Sequence, residues 1–136
     1  MSVIGHSPLA GASGAAGGGD PLYVDDVFST FILEGNGSAQ TVVNGIDLSG
    51  EGGLVWSKGR DASDQNALFD TERGTNKTLI SNSQARESTY NNRLTAYNSD
   101  GFTVGGRGLT NENNKTYVSW TLRKEPGFFV VHTYPD

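Results

Sequence analysis

The chain has no cysteine among its 136 residues. Disulfides and thiolate metal sites are therefore excluded, and the redox compartment leaves no trace in the sequence. Histidine is nearly absent, with 2 residues, His6 and His132. Neither has convergent partners in the sequence, so each is expected to be a surface or satisfied side chain rather than a metal ligand or an acid–base group. Positive charge is also scarce: 10 Lys and Arg against 15 Asp and Glu give a formal net charge of −5. That balance argues against non-specific binding to nucleic acid or to an anionic membrane, both of which need a basic field. No apolar run approaches bilayer length, so no membrane insertion is expected. The first residues carry neither a basic stretch nor an apolar one, so no signal peptide is expected.

What the chain does have is glycine, 19 residues of it, against a hydrophobic fraction of only 35%. Such a composition builds a small core and spends many residues on turns. Burial in such a chain is often completed by a neighbour, so a homo-oligomer, with a trimer as one form, is expected. The length suits one domain. Residues 1–20 read as a separate Gly/Ala-rich arm, with six Gly and four Ala before Asp20 and no charged side chain among them. Too little apolar surface is available there to offset the entropy of ordering, so the arm is expected to be flexible until it lies on a partner. Val3, Ile4 and Leu9 are its apolar anchors.

From residue 21 to residue 136 the pattern is β. Residues 27–33 are rich in aromatic and β-branched types, as a strand requires. Asn36-Gly37 favours a turn, and residues 39–43 read as the returning strand of a hairpin. Further strands are expected at 54–58, 67–69, 78–80, 93–98, 102–104, 116–123 and 128–134. In the 116–123 strand Val118, Trp120 and Leu122 face one way, and Tyr117, Ser119 and Thr121 the other. Seven to nine short strands and no stretch with helical spacing imply an all-β, antiparallel β-sandwich of the jelly-roll or concanavalin-like kind.

No set of residues supports catalysis. Asp70 and Glu72 sit two apart on an expected strand, so they share a face, but a glycosidase pair also needs a set separation across a sugar. They serve equally as partners for Arg60 or Arg73. Asp61, Asp64 and Asn66 present hard oxygens, yet without a calcium-loop spacing they read as a turn. Gly105-Gly106-Arg107-Gly108 lacks the Lys-Ser/Thr of a phosphate loop and reads as a flexible turn. The sequons at Asn36, Asn76 and Asn114 are chance in an Asn-rich chain. No cofactor is expected. Trp56 and Trp120 alternate with apolar neighbours and are expected in the core. Tyr90, Tyr97 and Tyr117, with Asn91, Asn92 and Asn111, form an amide-plus-aromatic set suited to hydroxyl-rich ligands, and are the candidate contacts for a host glycan.

Five phrases recur in order: Gly35-Asn36-Gly37-Ser38, then Leu54-Val55-Trp56-Ser57-Lys58-Gly59-Arg60-Asp61, then Ala67-Leu68-Phe69-Asp70-Thr71-Glu72-Arg73-Gly74, then Asn98-Ser99-Asp100-Gly101-Phe102, then Tyr117-Val118-Ser119-Trp120. Together they resemble a lectin-like β module found in tail-fibre and other structural proteins of tailed bacteriophages, over about residues 23–134. The resemblance implies a non-enzymatic protein of the virion, a fibre, adaptor or head decoration protein, whose partners are other capsid or tail proteins. Residues 128–134 resemble the opening strand of a second copy, expected either to close the domain's own sheet or to pair with a neighbouring subunit. That departure favours a short adaptor, anchor or decoration role over a long fibre.

Overall fold

The computed structural model of the protein describes residues 22–61 and 63–134. The arm of residues 1–20, with Val3, Ile4 and Leu9, lies outside them. Nine strands are present: β1 (Phe28–Glu34), β2 (Gln40–Val43), β3 (Gly53–Gly59), β4 (Ala67–Asp70), β5 (Lys77–Ile80), β6 (Ser88–Thr89), β7 (Leu94–Asn98), β8 (Gly101–Val104) and β9 (Thr116–Arg123). The helices among the described residues are two single turns, α1 (Val24–Val27) and α2 (Leu48–Glu51). None is long and apolar enough to cross a membrane.

The strands form two antiparallel sheets. One has six strands in the order β1-β9-β3-β4-β5-β6, the other three in the order β2-β8-β7. The chain is an all-β sandwich. Its core lies between the sheets: Val55, Ala67 and Phe69 from the larger sheet meet Val42, Leu94, Phe102 and Val104 from the smaller one. Ile46 and Leu48 close one side, the latter from α2, whose first turn is held by Asp47 accepting from the Gly50 amide at 2.8 Å.

The expected hairpin between the first two strands does not form. β1 pairs with β9, and β2 pairs with β8 in the other sheet. The reason lies at the Asn36-Gly37 turn. The Gly35 amide donates to the Lys115 carbonyl at 2.7 Å, prolonging the β1–β9 pairing, and the Asn36 amide donates to Asn111 Oδ1 at 3.0 Å. The turn is thus tied to a distant loop and carries the chain from one sheet to the other.

The expected strand at 128–134 does not form either. After β9 the chain turns back, with an isolated bridge between Glu125 and Phe129. Phe128, Val130 and Tyr134 are exposed, and so is His132. Pro126 and Gly127, the latter at φ 81°, make the turn and offer little to a ladder.

The phase of β9 decides what each face of the large sheet does. Tyr117, Ser119 and Thr121 point inward, each no more than 6% exposed. Val118, Trp120 and Leu122 point outward. β3 follows, with Val55 and Ser57 buried and Trp56 37% exposed. The expectation of a tryptophan core is therefore corrected. The small inward residues Ser57, Ser119 and Thr121 leave room for Phe69, Phe102 and Tyr117 between the sheets. Two of the inward hydroxyls find partners there, Ser57 donating to the Leu109 carbonyl at 2.8 Å and Thr121 accepting from Asn44 Nδ2 at 3.0 Å, while that of Ser119 is buried without one.

Candidate functional site

Two surfaces stand out. The first is a polar cleft where three loops converge, lined by Gly37, Ser38, Ala39, Asn92, Gly105, Gly106 and Arg107. Asn111 holds it together. This side chain is fully buried. Its Oδ1 accepts from the Asn36 amide at 3.0 Å and from Gln40 Nε2 at 2.7 Å. Its Nδ2 donates to the carbonyls of Ser38 and Gly105. One amide therefore joins residues 36–40 to the β8–β9 loop. The second tie runs between backbones. The Gly105 amide donates to the Arg93 carbonyl at 2.8 Å and the Arg107 amide to the Asn92 carbonyl at 3.0 Å. Asn92 itself is left-handed, at φ 65°, a conformation asparagine tolerates. At Gly106 a Cβ would lie 2.1 Å from the Gly37 carbonyl oxygen, so only glycine permits this approach. The Gly105–Gly108 stretch, expected to be a flexible turn, is a hydrogen-bonded wall of the cleft.

Beside the cleft, the ring of Tyr90 carries two arginines. The guanidinium carbon of Arg93 lies 4.1 Å from the ring centroid and that of Arg107 5.0 Å. Arg93 is half-buried. Its Nη1 donates to Thr78 Oγ1 at 3.2 Å, while its Nε is buried without a hydrogen-bond partner. Burial holds the Arg93 guanidinium below its ordinary value; the Tyr90 hydroxyl counters this, and the charge of Arg107 adds to it.

The second surface is the outer face of the large sheet. Register places Thr30, Trp120, Trp56 and Leu68 in one row across β1, β9, β3 and β4. Phe28, Leu122 and Leu54 form the next. Phe129, brought back by its bridge to Glu125, completes an apolar groove with Ser81 at its edge. Trp56 and Trp120 meet edge to face, with centroids 5.3 Å apart and planes at 63°. Trp56 Nε1 donates to Asn66 Oδ1 at 3.0 Å, so the indole is fixed.

The six candidate glycan contacts divide evenly. Tyr90, Asn91 and Asn92 are exposed and adjoin the cleft. Asn111 is the buried tie just described. Tyr97 donates from its hydroxyl to the carbonyls of Asp70, at 2.7 Å, and Gly74, at 3.1 Å. Tyr117 is buried, and its hydroxyl accepts from the Glu112 amide at 3.0 Å. Burial pushes both phenols up. Tyr97, Asn111 and Tyr117 thus hold the scaffold.

The carboxylates are equally committed. Asp70 is buried, accepts from the Arg73 amide at 2.8 Å and pairs with the Arg73 guanidinium at 2.6 Å. β4 ends at Asp70, so Glu72 stands in the following turn, 3.7 Å from Lys124, and does not share a face with Asp70. Asp61 accepts from the Thr116 amide at 3.1 Å, and Asn66 holds Trp56. Among the described residues no group of three or more His, Asp or Glu is gathered for a metal.

A family model described as a domain of unknown function, DUF7483, matches residues 24–132. The chain belongs to this family. The matched span of the DUF7483 domain runs from α1 to the segment beyond β9 and so includes both the cleft and the apolar face. No curated protein and no solved structure matches the chain.

Sequence reasoning missed the two arginines and the outward tryptophans. Arg107 was hidden in a glycine-rich run that lacked a phosphate-loop pattern. The signal for the tryptophans was the alternation itself: β3 and β9 each carry a second face of Ser, Thr, Val and Tyr able to line a core.

Proposed function

We propose that this domain is an assembly module of a tailed-phage particle. In this reading the apolar face of the six-stranded sheet seats a second copy of the chain, and the arm of residues 1–20 docks the assembly to another capsid or tail protein. One observation carries it: an aromatic groove of Phe28, Leu54, Trp56, Trp120, Leu122 and Phe129 lies open on a sheet face. Contiguous apolar surface of that kind marks interaction sites. A second copy is the fitting occupant because each chain also exposes an apolar segment, with Phe128 at 40%, Val130 at 52% and Tyr134 at 85% exposure. Groove and segment on one chain make a head-to-tail contact, which gives a ring such as a trimer where its rotation closes and a filament where it does not. The resemblance of the ordered phrases to phage structural modules is what supports the virion context.

The groove is poorly suited to a saccharide. Its lining offers no hydrogen-bonding side chain but Ser81 and indole N–H groups, and that of Trp56 is engaged by Asn66. Sedimentation velocity over a concentration series tests the assembly. The full chain should associate, and Trp56→Ser should sediment as a folded monomer. A wild-type chain that stays monomeric throughout would refute it. Antibody-gold labelling of intact particles tests the virion assignment, which fails if neither head nor tail is labelled.

The polar cleft favours a second reading, contact with host surface glycans, because Asn92 and Arg107 line it and stand exposed. The two readings use different surfaces and are compatible in one protein.

A further inference from the structure

The arginines beside the cleft are unusual in an acidic chain. Arg93 and Arg107 are drawn to one phenol ring, so their guanidinium carbons lie no further apart than the sum of 4.1 Å and 5.0 Å. Neither makes an ion pair among the described residues. Acidic groups elsewhere are engaged: Glu112 with Lys115 at 3.5 Å, Glu87 with Arg73 at 3.2 Å, and Asp70 with Arg73. Two like charges held within that distance repel, and a buried guanidinium N–H without an acceptor is costly. Arg93 bears both burdens, since its Nε is the buried orphan.

The surroundings hold this arrangement in place. Arg93 is fixed by Thr78 Oγ1 and by its own carbonyl, which accepts from Gly105. Thr110 Oγ1 donates toward the carbonyls of both Arg93 and Arg107, at 3.3 Å and 3.1 Å. The two arginine backbones are therefore positioned by one buried threonine. Leu109, next to it, sits at φ 75°, a strained conformation for a branched residue. With two cations held against its ring, Tyr90 is a positioning group here and not a sugar-stacking platform.

We infer that Arg107, which lines the three-loop cleft, and Arg93 beside it form an oxyanion subsite that takes the carboxylate of an acidic saccharide. The planar guanidinium fork matches a carboxylate, and an incoming anion relieves the repulsion between the arginines. Asn92, exposed and lining the cleft, is placed to meet a hydroxyl of the same sugar. This inference rests on the glycan reading of the cleft.

The test is binding of the full chain to a panel of uronic-acid and sialic-acid oligosaccharides, each printed beside its carboxyl-methyl ester, with inorganic phosphate as competitor. The acids should bind and their esters should not. Raising the salt should weaken binding. Arg107→Gln should lower affinity about tenfold or more, the loss expected for one charged hydrogen-bonding group, and Arg107→Lys should restore part of it. Arg107 is exposed, so its variants should keep the wild-type fold, checked by near-ultraviolet circular dichroism. Acids and esters binding equally would overturn the subsite and leave the glycan reading standing. A panel blank in both forms would overturn both. Blank acids with phosphate bound through Arg107 would overturn the saccharide assignment in favour of a phosphate-bearing ligand.

Discussion

Removing the Asn111 side chain should unfold the cleft and much of the domain's stability with it. In Asn111→Ala two carbonyls, those of Ser38 and Gly105, lose a donor, while the Asn36 amide and Gln40 Nε2 lose an acceptor. Each bond contributes about 1 kcal/mol net, and partners left dry cost more. Water can reach the partly buried partners but not the Gly105 contact, so the loss is about 3 to 4 kcal/mol. For a domain of this size that lowers the melting temperature by roughly 12 to 16 °C. Differential scanning calorimetry measures it. Asn111→Asp adds a check on mechanism. It keeps both accepted bonds but sets a carboxylate against the two carbonyls, so its pKa must rise on folding. Stability is then present below the unfolded carboxyl pKa and lost as pH rises, and the variant should melt higher at about pH 4 than at about pH 7 once compared with wild type. A drop of only about 4 °C in Asn111→Ala, the worth of a single bond, would show that the amide is not the tie described here.

The Tyr97 phenol is pushed up from 10.0 by burial first and by Asp70 second, so the neutral form belongs to the fold and stability should fall as pH rises above about 10. Tyr97→Phe should cost about 1 to 2 kcal/mol at neutral pH through its two lost bonds and should blunt that alkaline decline, both read from urea melts at stepped pH. Gly106→Ala drives a methyl against the Gly37 carbonyl and should cost about 2 kcal/mol, whereas a neutral result by thermal melt would mean the loops can part without penalty. If the proposed virion role holds, deleting residues 2–19 should leave the melting temperature unchanged while abolishing incorporation into phage particles; normal incorporation by immunoblot of purified particles would remove the arm from the assembly.

Strand positions were legible because alternation and Gly/Asn turns are local signals, and β1, β3 and β9 fall within a residue or two of where these signals place them. The partner of each strand was not legible. Asn36-Gly37 carries a hairpin's chemistry, but Asn111, 75 positions away, claims the Asn36 amide. Nor was the phase of β9. Val118, Trp120 and Leu122 are the more hydrophobic row, yet Tyr117, Ser119 and Thr121 face the core because Asn44, Glu112 and the opposite sheet satisfy or bury them. The candidate site was half legible. Exposed Tyr90 and Asn92 were found from residue type, while Tyr97 and Asn111, of the same types, proved to be scaffold; only distant partners separate the two uses. Residues 128–134 show the limit of propensity: the turn at Pro126 and Gly127 folds them back into one isolated bridge, Glu125 to Phe129, and their β-prone side chains extend it into no ladder.

The place of β9 between β1 and β3 also sets a timetable. β1 precedes β9 by most of the domain, and its ladder partner in the large sheet is β9 alone. A chain emerging from the ribosome therefore displays Phe28, Phe31, Ile32 and Leu33 on an unpaired strand until almost all of the domain has been made. Closure must wait for one late, long-range event, which makes folding slow and exposes a sticky edge in the interval. Charged residues at the ends of that strand, Asp25 and Asp26 before it and Glu34 at its close, stand where gatekeepers against premature self-pairing are needed.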